Sequence, residues 1–336
     1  MNLPEQEYHD YPAWSQSIIA KYARNGFSAL PTLLDKVDPT PEMKFGSLVD
    51  CIITRGVSVA KNEYTVSDAP LPSPSVKAVL DYILLKTGVP YTEIQDDVFL
   101  EAMDSCKYQP KWKYETRRKS IDDCFGYYEL RRAGKEVISE QDWNDAMDMA
   151  KAIRTDPYLK NVFGVGKKDG IEYLYQVQFV TSVVFNLEET QCKCMFDLLV
   201  VDHNKKTLQP VDLKTSSMPA YSFADHFVKM RYDLQASLYT YILKDVIKDT
   251  EYSNYTVLPY LFTDISRTDK VPVTFEYDPS GGFSFKDYTY KDWPVLLEEI
   301  ISYKNTNATV PSYIRTDGPN DLIKLLNKEY VRTETE

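Results

Sequence analysis

Asp212, Leu213 and Lys214 stand in a row near the end of an apolar stretch, TLQPVDLKT, and Asp197 interrupts the apolar run before it, KCMFDLLVVD. Side chains alternate along a strand, so Asp212 and Lys214 share one face. The intervening HNKK reads as a turn, and a hairpin through it sets the Asp197 strand beside them. Two carboxylates and an ammonium at a strand end suit metal-assisted cleavage of a phosphodiester. Aspartate oxygens are hard ligands for Mg²⁺ or Mn²⁺. A bound metal acidifies its water and screens the phosphate. The lysine would orient or help deprotonate that water and stabilise charge developing on phosphorus. Leu213 would add only its backbone carbonyl to the metal shell. Charge inside apolar runs is costly and, at a strand end, marks a site. The alternative is a surface hairpin with an ordinary exposed Asp–Lys ion pair.

The segment after this hairpin, FADHFVKMRYDLQASLYTYILKDVIKD, reads as one long helix. Phe227, Met230, Leu234, Leu238 and Tyr241 step by three and four and form its apolar stripe. Arg231, Gln235 and Tyr239 recur at four-residue intervals on a polar stripe. Gln235 and Tyr239 are thereby expected to contact a nucleotide or the catalytic lysine, and Lys229 and Arg231 to contact DNA phosphates. The densest basic stretch, KYQPKWKYETRRKS, interleaves cations with Tyr108, Trp112 and Tyr114, the composition that single-strand or end binding uses. A solvated helix with long basic side chains explains it equally well.

The elements that must position these residues change in texture near residue 171. Upstream, YPAWSQSIIAKYARN (with Ser15 as cap), EMKFGSLVDCIITRG, a helix opened by Ser73 and Pro74, residues 97–135 and a helix begun by Ser139 all read as helical, with a proline-rich loop over 64–75. Downstream, IEYLYQVQFVTSVVFNL, the two hairpin strands, YTVLPYLFTDI and VPVTFEYD are β-branched and aromatic, as strands are, and a helix over 289–304 follows. The order predicts an α/β fold with a helical N-terminal elaboration. We expect one domain across 1–336: mainly helical to 165, catalytic sheet and helices over 166–310, and a polar tail from 311.

The 336 residues carry a net charge of −11, which argues against coating nucleic acid with the whole surface but leaves a local basic groove open. Five cysteines without a CxxC pair fit a reducing cytoplasm. Three histidines make a histidine-rich metal site unexpected. The polar, acidic N-terminus is not a secretory signal, and no apolar run is long enough for a membrane span.

Asp197, then Asp212-Leu213-Lys214, then Gln235-x-x-x-Tyr239 resemble the RecB-type branch of the PD-(D/E)XK nuclease superfamily. With YHDYPAWSQSIIAKYARN, MKFGSLVDCIIT and EQDWNDAMDMAKAIRTDPYLKNVF upstream, the order is similar to the RecE or exonuclease VIII-like phage recombination exonucleases, over most of residues 8–245. The resemblance implies a central mixed sheet flanked by helices. It implies a Mg²⁺-dependent (or Mn²⁺-dependent) deoxyribonuclease working 5′→3′ on duplex ends. It also implies a single-strand annealing protein as partner, a homo-oligomeric ring, and a phage-encoded protein in the bacterial cytoplasm. The family's G-x-x-x-H histidine falls on Asp50, a competent oxygen ligand for the same metal, and its first-strand glutamate falls on Gln178, which keeps an oxygen without the charge and is expected on the substrate side. A non-catalytic nucleic-acid-binding module on a degenerate nuclease fold, favoured by Asp50 and Gln178, and an endonuclease of the same superfamily are the alternatives.

Overall fold

The computed structural model describes residues 3–35, 39–66, 71–185, 188–285 and 288–306. The expected tail over 311–336 lies outside them. The chain forms two compact units, Met1–Thr40 with Ala152–Glu336, and Pro41–Lys151. No described helix is long and apolar enough to cross a membrane.

The Pro41–Lys151 unit is mainly helical, as its sequence predicts, but Tyr64–Val66, at the start of the expected loop, is a strand that pairs in parallel with Glu136–Ile138. Ser73 accepts a hydrogen bond from the Val76 amide at the start of the helix Pro74–Thr87, and Gly88, with φ 63°, ends it. Val79, Leu80, Ile83, Phe99, Met103, Ile121 and Tyr128 fill its core. In the basic stretch, Arg118 pairs with Asp96 and Asp122, Arg117 pairs with Asp104, and Tyr108 is buried. Lys107, Lys111, Lys113, Lys119 and Trp112 are exposed.

The other unit is a mixed α/β fold around a seven-stranded sheet. Its main elements are helices α1 (Glu5–Asp10), α2 (Gln16–Asn25), α3 (Phe223–Met230), α4 (Tyr232–Val246) and α5 (Trp293–Thr306), and the sheet strands β1 (Lys167–Lys168), β2 (Ile171–Phe185), β3 (Glu188–Asp202), β4 (Thr207–Ser216), β5 (Thr256–Val257), β6 (Tyr260–Ser266) and β7 (Pro272–Tyr277). The strand order is β1-β2-β3-β4-β6-β7, with β5 also on β4. β4 and β6 are parallel, and the chain crosses between them through α3 and α4; the other pairs along this path are antiparallel. Such a crossover buries its strands, and every residue of β6 is buried, Thr263, Asp264 and Ser266 included.

The expected long helix over 223–249 is two helices. Arg231 adopts φ 59°, ψ 51° and ends α3, and α4 starts afresh after it. This re-phases the apolar stripe to Leu234, Leu238 and Ile242, each fully buried, while Tyr241 is 40% exposed. With Ile19 and Tyr22 of α2 and Leu297 and Ile300 of α5, these side chains cover one face of the sheet.

β2 and β3 bend together. In β3, Cys194 and Phe196 face this core, but further on it is Leu199 and Val201. In β2 the same change of parity separates Leu174 from Val177 and Phe179. Gln176, with φ 54°, lies at the bend. A non-glycine residue there costs on the order of 1 kcal/mol and is kept only where surroundings enforce it. β3 stays paired with β4 only as far as Leu198–Val211. Beyond that point the N-terminal segment takes over its open side: the Trp14 amide donates to the Gln191 carbonyl, and the Lys193 amide to the Trp14 carbonyl. A strand edge is thereby covered. The Lys193 ammonium, 5% exposed, fastens the segment through the carbonyls of Tyr8, His9 and Tyr11 at 2.7–2.9 Å.

Candidate active site

The site sits where β3 leaves β4. The Leu213 amide has no β3 carbonyl opposite it, and Asp197 Oδ2 accepts its hydrogen bond at 2.9 Å. Asp212, 3% exposed, and Lys214 project from the next strand toward α4. Lys214 Nζ lies 2.7 Å from Asp212 Oδ2 and donates to Gln235 Oε1 at 3.0 Å. Gln235 Nε2 donates to Asp212 Oδ1. The ammonium needs an acceptor and the carboxylate a donor, so the Gln235 amide can sit only this way round. Lys214 Nζ also stands 4.5 Å from the centre of the Tyr232 ring. The exposed surface ion pair is therefore not what forms.

Burial works against the Lys214 charge, but the Asp212 carboxylate, the Tyr232 hydroxyl and Asp197 together outweigh it and hold its pKa above the ordinary lysine value. Lys214 is an ammonium in this arrangement, a donor and counter-charge rather than a base. Tyr239, one turn after Gln235, meets Phe196 edge-on at 5.3 Å; burial, then Tyr8, Cys194, Asp212 and Asp197, push its hydroxyl well above the usual tyrosine range. It acts as a neutral group beside the two carboxylates.

The structure thus brings Asp197, Asp212, Leu213, Lys214, Gln235 and Tyr239 together. Lys229 is exposed on α3. Arg231 does not continue the Gln235–Tyr239 stripe, because the helix breaks at it; its guanidinium is 6% exposed, pairs at 2.9 Å through both Nε and Nη2 with Asp233, and donates to the Lys291 carbonyl. Gln178 is 6% exposed and its amide exchanges two hydrogen bonds with the Leu3 backbone, at 3.0 and 3.1 Å. Asp50 ends the helix Pro41–Asp50 in the other unit, where a π-turn over Cys51–Arg55 begins.

Three groups join the site without having been singled out. His226 meets the Tyr232 ring edge-on at 5.6 Å, and burial, Lys214 and Lys229 lower its pKa. Tyr232 opens α4 and stacks on Phe262. Asp264, on β6, is the Cα partner of Lys214 and 1% exposed. Its signal was in the sequence, a carboxylate inside YLFTDIS, as Asp197 is inside KCMFDLLVVD.

Burial pushes the Asp264 carboxyl from 3.8 up to about 6; the Ser216 hydroxyl and Lys214 pull it down and Asp269 adds to the rise. A carboxyl whose folded pKa is raised costs nothing below the unfolded value, where both states are protonated, costs progressively more as pH climbs from the unfolded value to the folded one, and costs a constant amount above it. The full cost is about 3 kcal/mol. Asp264→Asn is expected to gain about 1–3 kcal/mol at neutral pH and almost nothing near pH 4. Urea unfolding of both proteins at the two pH values checks this; an equal gain at both would assign it to packing.

The donor set suits a hard divalent cation. Asp212 Oδ2 is buried, and its approach to Lys214 does not meet hydrogen-bond geometry. A second carboxylate, Asp197, adjoins across the strands. Among the described residues no group of three or more His, Cys, Asp or Glu gathers in metal-binding geometry. A cation here would have two carboxylates, the Leu213 carbonyl and water, the sparse set that Mg²⁺ accepts.

No family model matches the chain, and no curated protein matches it. Among the solved structures to which the chain is similar at low level are two examples. One, a candidate exonuclease from Eubacterium rectale, is 12% identical with a TM-score of 0.40, over 98% of this chain and 89% of its own. The other, SSO0001, is 12% identical with a TM-score of 0.27, over 57% of this chain and 72% of its own. Likeness at this level carries no functional weight, which rests instead on the residues.

Proposed function

We infer that this chain is a metal-dependent deoxyribonuclease of the PD-(D/E)XK type, an exonuclease acting at duplex ends. The observation that carries the reading is the Asp212–Lys214–Gln235 triangle, in which Asp212 and Gln235 are buried and Lys214 half-buried, with Asp197 beside it where two strands part. Asp197, Asp212 and the Leu213 carbonyl would hold Mg²⁺ or Mn²⁺. When bound, that ion supplies a more acidic water and charge neutralisation at the phosphate. The chain's own residues do the rest. The Lys214 ammonium stabilises charge developing on the phosphate oxygens. Gln235 fixes the orientation of Lys214 against Asp212. Tyr239 and Phe196 wall off the site and keep its dielectric low, which strengthens each interaction. Lys229 faces solvent on α3 and meets the backbone of the incoming strand. A 5′→3′ polarity, a phage recombination role with a single-strand annealing partner, and a homo-oligomer belong to the same proposal.

The second reading, a binding module without activity, is favoured by one observation: Gln178, at the position of the family glutamate, is an uncharged amide satisfied by the Leu3 backbone. Incubating the protein with Mg²⁺ and end-labelled linear duplex, beside covalently closed circles, separates the readings. An exonuclease degrades the linear DNA alone, an endonuclease nicks the circles as well, and a binding module leaves both intact.

A further inference from the structure

Asp264 is a buried carboxylate that the proposed chemistry does not use. Among the described residues its Oδ1 has no hydrogen-bond partner, and Oδ2 has only the Ser216 hydroxyl at 3.5 Å. It is 1% exposed on β6, one strand in from β7. A buried carboxylate so poorly satisfied is expensive, and its position gives the reason. β4 and β6 run parallel with Lys214 opposite Asp264, so both side chains lie on one face of the sheet.

Lys214 now leans on Asp212 Oδ2. A divalent cation that takes Asp212 as ligand competes for that oxygen and repels the ammonium. The Lys214 side chain is only 20% exposed, so an ammonium there that loses its counter-charge without another is penalised. The adjoining Asp264 carboxylate, with an oxygen to spare, supplies one. We propose that Asp264 is the alternate partner of Lys214: as a cation occupies Asp212, the ammonium swings to Asp264 Oδ1, and Asp264 thereby positions the lysine beside the scissile phosphate. The inference rests on the metal-dependent reading of the site. The groups facing Asp264 are Lys214 and Ser216 on β4, Tyr232 on α4 and Asp269 after β6. Lys214 is the cation among them and has the reach to complete the pair. Burial raises the Asp264 pKa, as expected of a carboxyl whose counter-charge has not yet arrived.

The test is a crystal structure of the whole chain with Ca²⁺, joined to Mn²⁺ titrations of wild type, Asp264→Asn and Asp264→Glu. We expect Lys214 Nζ within about 3.2 Å of an Asp264 oxygen in the Ca²⁺-bound protein. We expect Mn²⁺ affinity to fall about tenfold in Asp264→Asn, which leaves the ammonium competing for Asp212, and to recover to within about threefold of wild type in Asp264→Glu. Lys214 still on Asp212 beside a bound Ca²⁺, Ca²⁺ ligated by Asp264 itself, or unchanged Mn²⁺ affinity in Asp264→Asn would each overturn the proposal while the metal site stood. A wild type that binds neither ion would overturn both together.

Discussion

Lys214→Ala is expected to slow single-turnover cleavage of linear duplex roughly a thousandfold, while affinity for DNA ends in Ca²⁺ changes by less than about twofold. The expectation follows from where the ammonium stands. Asp212 and Gln235 hold Lys214 at 2.7 and 3.0 Å, half-buried beside the two carboxylates. A charge fixed in a low-dielectric site acts on the transition state without reorganisation and adds little to binding of the ground state. Lys214→Arg is expected to recover only part of the rate, because a planar guanidinium does not fit the pocket formed by Gln235 and the Tyr232 ring. The alanine variant leaves Asp212 buried with Gln235 alone, so it should melt at lower temperature in EDTA than in Mn²⁺. A variant as active as wild type would mean that the chemistry lies elsewhere.

Arg231→Ala is expected to cost about 3–5 kcal/mol of stability. Arg231 and Asp233 are 6% and 3% exposed and joined by two hydrogen bonds of 2.9 Å. Removing the guanidinium leaves a buried carboxylate unpaired and deprives the Lys291 carbonyl of its donor. It also loosens the junction at which α3 ends and α4 begins, and α4 carries Gln235 and Tyr239. Chemical unfolding measures the loss. DNA-end affinity of the folded fraction should be nearly unchanged, because the guanidinium faces Asp233 and not solvent. A stable variant with weakened DNA binding would return Arg231 to the phosphate-contacting role its spacing suggested.

The hairpin was legible because strand alternation is a hard rule: Asp212 and Lys214 had to share a face, and HNKK had to set Asp197 near them. The Gln235–Tyr239 spacing was legible for the same kind of reason. Arg231 was misplaced because a left-handed residue within a helical pattern leaves no periodic trace, and arginine is not a residue type that announces one. The bend at Gln176 was equally hidden, since the β-rich pattern runs through it unbroken. Asp264 carried the signal that picked out Asp197, a charge within an apolar strand, but lacked a neighbouring motif to give it a role. The bonds from Gln178 and Lys193 to the first residues of the chain span more than 170 positions in sequence, beyond the reach of local pattern.

The central claim is that the carboxylates and lysine at the parting of β3 and β4 form a metal-dependent nuclease site. Its most direct test is single-turnover release of label from a linear duplex by wild type and Asp212→Asn, in Mg²⁺ and in EDTA, with both proteins verified as folded. The account predicts release by wild type in Mg²⁺, none in EDTA, and a loss of at least about a hundredfold in Asp212→Asn. Wild type that binds the duplex but releases nothing in Mg²⁺ or Mn²⁺, or Asp212→Asn that cuts at the wild-type rate, would contradict it.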